Sequence, residues 1–183
     1  PYFSPRFYIE YPNFNEIPNI EILSSIRRKI VEQLNKIETV TCAGKFLNNT
    51  QELSEAEKHI QKHYEKAGEF SFDTFYTLKK EYLKKFKFNI CAENASGKGY
   101  VTEKLFDAIE SGCIPIYWGG VKKDFVEPEI INPKAFLYYE EGKEGELIEK
   151  VKTLNRDKKE YESFMSIPPF KDTAPEAIWA MLQ

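Results

Sequence analysis

The chain has few of the residues on which many site chemistries depend. Its 183 residues include three cysteines, Cys42, Cys91 and Cys113, too scattered for a disulfide framework and without a CxxC pair. Reduced, mostly buried thiols are the expectation. The two histidines, His59 and His63, lie four apart in a charged stretch that lacks the glutamate of an HExxH pattern, which argues against zinc. No apolar run approaches the ~20 residues that cross a bilayer, and no signal peptide is recognisable. Neither sign of charge dominates: 26 basic and 29 acidic side chains give a formal net charge of −3. There is thus no general attraction for nucleic acid or an anionic surface, and an anionic ligand must be held by a local cluster of cations. Arginine, the preferred bidentate partner of phosphate, occurs only at Arg6, Arg27, Arg28 and Arg156. Pro1 stands where Met would be expected, so a fragment or a processed product is anticipated.

What is present describes an ordinary folded domain. Fourteen Phe, 11 Tyr and 2 Trp offer enough apolar surface to offset chain entropy. Phe7 to Tyr11 reads as a strand closed by Pro12. Between Ile22 and Ile37, apolar residues at 23, 26, 30, 34 and 37 mark an amphipathic helix with Arg27 and Arg28 beside its stripe. Thr39 to Ala43 reads as a second strand, completing a β-α-β beginning. The Glu/Lys-rich stretch 53–86 is expected to form solvated helices. Further strands are expected at Phe86–Ala92, Ile114–Trp118 and Ala135–Tyr139. Helices are expected from Thr102 to Gly112 and at about 143–154, 157–165 and 174–182. Alternation of this kind predicts a doubly wound α/β domain with a mostly parallel sheet.

In such sheets ligands sit beyond the carboxyl ends of strands. Ala92 to Lys104 is a strand-loop-helix junction of that type, with Gly97 and Gly99 in the loop and Thr102 as the expected cap of the next helix. It is not a P-loop, because Ala92 and Gly99 occupy positions that need Gly and Ser or Thr. It also lacks the third glycine of the dinucleotide fingerprint, where Thr102 stands. Lys104 places a cation in the first helical turn, against the dipole, which an anionic ligand would compensate. Glu103 in the same turn suits ribose hydroxyls, or simply the dipole. Two sequons, Asn48-Asn49-Thr50 and Asn94-Ala95-Ser96, are discounted as chance matches.

From Phe88 to Gly119 the chain carries Glu93-Asn94, Tyr100-Val101-Thr102-Glu103-Lys104, Ala108, Gly112 and Ile114-Pro115-Ile116-Tyr117-Trp118-Gly119. This pattern resembles the signature of the α-1,3-fucosyltransferases of glycosyltransferase family 10, bacterial members above all. The likeness extends more loosely over most of residues 20 to 165. It implies a single Rossmann-like, donor-binding domain over residues 1–183, the C-terminal half of a GT-B-like enzyme whose acceptor domain is absent from this chain. The implied donor is GDP-fucose, with L-fucose passed by inversion to GlcNAc or glucose of an oligosaccharide acceptor. No cofactor or bound metal is expected. The resemblance places Lys104 and Arg27 at the pyrophosphate and Glu103 at the ribose. Asn94 and Tyr100 would line the GDP site, while Val101 and Thr102 would supply backbone contacts and the helix cap. Arg27 is preferred to Arg28 for its seven-residue distance from Leu34. No catalytic residue is assigned here, Glu10 and Glu93 included, because the family's general base belongs to the acceptor domain. A non-catalytic GDP-sugar-binding or partner-docking module, and transfer of another GDP-sugar, stay open as alternatives. Cytoplasmic or inner-membrane-associated placement in a bacterium is expected, with any peripheral membrane contact made through segments outside this chain.

Overall fold

The computed structural model describes residues 20–43, 47, 49–51, 79–94, 96–97, 100–119 and 128–183. Helix α1 (Ile20–Leu34) is followed, after a helical stretch over 79–83, by strand β1 (Phe88–Ala92). Helix α2 (Glu103–Glu110), strand β2 (Ile114–Trp118) and strand β3 (Leu137–Tyr138) come next. Helices α3 (Glu144–Arg156), α4 (Lys158–Met165) and α5 (Ala174–Met181) complete the order. The strands form a parallel sheet in the order β1-β2-β3, with Phe88 opposite Ile114, Ala92 opposite Trp118 and Ile116 opposite Leu137.

The period-2 alternation of strand side chains sorts the core into two halves. Ala92, Ile114, Ile116, Leu137 and Tyr139 pack with Ile26, Ile30 and Leu34 of α1 and Leu147, Val151 and Leu154 of α3. The intervening residues Cys91 and Tyr117 pack on the opposite face with Leu105 and Ala108 of α2, Cys113, Phe136 and Ala174. Helices therefore cover both faces, which is the doubly wound arrangement expected. Continuous burial explains why Ile114–Tyr117 is an unbroken apolar run. Pro115 is tolerated there because Ile114 and Trp118 turn their backbone groups to β1, through Ile114 N to Lys87 O and Glu93 N to Trp118 O, both 2.8 Å. Pro115 faces the other side, where β3 begins only opposite Ile116.

The helix boundaries follow the sequence closely, and Gly112 at φ 74° ends the turn after α2. The anticipated strand at Thr39–Ala43 is not one. Its backbone bonds go mostly to side chains: Asn35 Oδ1 accepts from Val40 N (2.7 Å), while the Asn49 amide accepts from Cys42 N and donates to Val40 O (2.8 Å each); Cys42 O takes a backbone donor, Asn49 N (3.1 Å). The Phe7–Tyr11 strand and most of the charged stretch lie outside the described residues, so the β-α-β beginning is not seen among those described.

Candidate donor site at the end of strand β1

The chain leaves β1 into Glu93, which is fully buried despite its charge. Burying a carboxylate is costly unless hydrogen bonds satisfy it. Thr102 supplies two donors, its N–H to Oε1 (2.8 Å) and its hydroxyl to Oε2 (2.6 Å). Lys104 Nζ approaches Oε2 at 3.4 Å and Tyr117 OH approaches Oε1 at 3.4 Å. The loop from 93 to 102 is thereby tied back onto the strand that precedes it. Gly119 closes this cradle: a Cβ there would lie 2.5 Å from Glu93 Cγ and 2.8 Å from Tyr117 OH.

Arg27 reaches the same point from α1. It is 3% exposed, and its Nη2 donates to Ala92 O (3.1 Å), Glu93 O (3.0 Å) and Asn94 Oδ1 (2.8 Å). Burial lowers its pKa to about 10, with Glu93 and Tyr100 acting in the opposite direction, so it remains a cation at neutral pH. Arg28, one residue on, points to the exposed side of α1. The structure thus brings the first of these two arginines to the loop.

Lys104 is only partly exposed, and donates to Thr102 Oγ1 (3.0 Å) as well as pairing with Glu93 and, at 3.6 Å, with Glu103. Its placement against the helix dipole is therefore compensated by two carboxylates of the chain itself. Thr102 also departs from expectation. It occupies the N-cap position of α2 in an extended conformation, but its side chain makes no cap; the hydroxyl is turned to Glu93. The first turn is thus left without a side-chain cap. At Glu103, desolvation pushes the carboxyl up, but Lys104, its own backbone N–H, Lys79 and the Thr102 hydroxyl outweigh it and hold the group below its usual range. Tyr100 is half-buried, with its carbonyl 3.5 Å from Tyr117 OH. The Val101 side chain joins the core under α2.

Of the residues named from sequence, Arg27, Asn94, Thr102, Glu103 and Lys104 converge on one end of the sheet, and Tyr100 acts electrostatically on Arg27. Glu93, Tyr117 and Gly119 were not assigned to the site. A charged residue directly after an apolar strand was the available signal for Glu93. A separate cavity of about 520 Å³ runs beside β1, between Leu34–Ala43 and the 79–83 stretch, and shares Lys104 with this cluster. Among the described residues no group of three His, Cys, Asp or Glu is placed to hold a metal.

Comparison with known proteins bears on this arrangement. The family model for the C-terminal part of glycosyltransferase family 10 (fucosyltransferase) matches residues 18–167. An α-(1,3)-fucosyltransferase of Helicobacter pylori is 46% identical over 86 residues, 45% of this chain and 17% of that protein. An α-(1,4)-fucosyltransferase of Arabidopsis thaliana is 40% identical over 81 residues, 43% of this chain and 19% of that protein. The relatives are thus not confined to bacteria. A crystal structure of an α1,3-fucosyltransferase with GDP-fucose matches with a TM-score of 0.58 at 30% identity, covering 85% of this chain and 39% of that one. The chain spans less than half the length of these proteins. With the doubly wound sheet and the junction at the end of β1 in place, the chain belongs to glycosyltransferase family 10, the fucosyltransferases, within its C-terminal region.

Proposed function

We propose that this chain binds GDP-fucose for the transfer of L-fucose, with inversion, to a GlcNAc- or glucose-containing glycan, with an α-1,3 linkage as the expected product. The observation that carries this reading is the convergence of two cations, Arg27 and Lys104, and an uncapped helix N-terminus at the carboxyl end of β1. The relatives support a donor role for the matched stretch: their names differ in linkage, α-(1,3) against α-(1,4), but agree on fucose.

In a single displacement the acceptor hydroxyl oxygen bonds to the anomeric carbon while the bond from that carbon to the β-phosphate oxygen breaks. GDP leaves with the electron pair, and the hydroxyl proton passes to a general base. Negative charge grows on the diphosphate, so fixed cations beside it lower the barrier. Lys104 acts from the first turn of α2 and Arg27 from beneath the loop. Glu103, ionised and partly exposed, accepts from ribose hydroxyls, and Asn94 and Tyr100 line the nucleotide. The base is assigned to no residue of this chain.

Titration calorimetry with GDP and with GDP-fucose tests the reading. Both are expected to bind. Lys104→Ala combined with Arg27→Ala is expected to weaken binding by tenfold or more, since a hydrogen bond to a charged group contributes roughly 1.5–3 kcal/mol. A folded wild-type chain that does not bind GDP overturns the reading. Competition in which another GDP-sugar displaces GDP while GDP-fucose does not favours transfer of that other sugar instead.

A further inference from the structure

Both cations of the site bond to one residue. Arg27 donates to the backbone carbonyl of Glu93, and Lys104 faces the Glu93 carboxylate. Glu93 is itself inaccessible to any ligand, with no exposed surface. Its four donors among the described residues come from the loop-helix junction and from β2: Thr102 N, Thr102 Oγ1, Lys104 Nζ and Tyr117 OH. Thr102 Oγ1 is shared, accepting from Lys104 and donating to Glu93, so Lys104 is held to the carboxylate directly and through one hydroxyl. Gly119 leaves the room that the Glu93 side chain occupies. A buried carboxylate so fully engaged with the backbone and side chains of one helix start does more than fill space: its charge decides where the Lys104 ammonium rests.

We propose that Glu93 is a positioning residue, whose buried carboxylate aims the Lys104 ammonium at the terminal phosphate of a nucleoside diphosphate. This rests on the GDP-binding reading given above. An amide at position 93 keeps the volume and can still accept from Thr102 N. It turns an N–H₂ towards Lys104 in place of the oxygen, so the ammonium loses its charged anchor on the strand side and keeps only Thr102 and Glu103. The loss then falls on the phosphate that Lys104 serves, and the rest of the nucleotide is unaffected.

The discriminating quantity is the ratio of GDP to GMP affinity in the full 183-residue chain. Glu93→Gln is expected to reduce that ratio about tenfold, to the value of Lys104→Ala, with no further reduction in the double variant, because coupled groups are not additive. A purely structural role would weaken GDP and GMP alike, or lower only the melting temperature, and the two substitutions would add. Either result overturns the proposal. Should Glu93→Gln fail to fold, Tyr117→Phe removes one donor to the same carboxylate. It is expected to lower the ratio in the same direction by a smaller factor, and an unchanged ratio counts against the proposal. Wild-type chain that binds neither nucleotide overturns the functional reading itself, whereas wild-type preference for GDP that survives Glu93→Gln overturns this inference alone.

Discussion

At the scale of single residues, the site is organised by charges removed from water. Arg27 and Glu93 are both nearly inaccessible, and each is stabilised by several short contacts to other groups of the chain. Gly119 is the residue on which this packing depends most narrowly. Gly119→Ala places a methyl group against Glu93 Cγ and Tyr117 OH, and is expected to destabilise the chain by about 1–3 kcal/mol and to weaken GDP binding with it. Chemical denaturation and calorimetry on the same variant check both effects; unchanged stability would show that the loop yields without cost. Much of this site was legible in the sequence because the Tyr100–Lys104 run lies at a strand-loop-helix junction. Glu93 was not, because an acidic residue reads as exposed until its donors, nine to 24 positions away, are brought together in space. The choice of Arg27 over Arg28 was open for a related reason. Both flank the apolar stripe of α1, and only the docking of that helix decides which one turns inward.

At the scale of elements, apolar periodicity located the helices and central strands to within a few residues, since each buries one continuous face or run. Thr39–Ala43 misled because β-branched composition reports a preference for extended backbone and says nothing about which partner satisfies it; two asparagine side chains do so here. Asp157 shows how little chain can separate two elements. As the single residue between α3 and α4 it has an extended conformation, and its carboxylate accepts from Lys159 N (2.9 Å) and Glu160 N (3.1 Å). Asp157→Ala is expected to cost about 1 kcal/mol and lower the melting temperature by about 2–4 °C, leaving GDP affinity unchanged. Calorimetric melting read beside nucleotide binding separates the two; a loss of affinity would tie α4 to the cleft.

Across the whole molecule the three buried thiols impose a common pH dependence. Burial raises Cys42 and Cys91, and carries Cys113 from 9.0 to about 11. Folding thus keeps these protons bound, while the unfolded chain releases them first as the pH rises. Stability is full below the unfolded thiol range and falls above it, by roughly 2–3 kcal/mol for Cys113 between pH 9 and 11. Denaturant midpoints at pH 8 and pH 10.5 are expected to fall with pH, and less steeply in Cys113→Ala; equal slopes would remove the thiol from this account. One contact has a wider consequence. Arg27 meets acceptors 65 to 67 positions further along the chain, yet its place is set by the packing of Ile26, Ile30 and Leu34 against the sheet. A substitution that tilts α1 on the sheet therefore moves this guanidinium as well, so the apolar face of the helix governs where that charge lies.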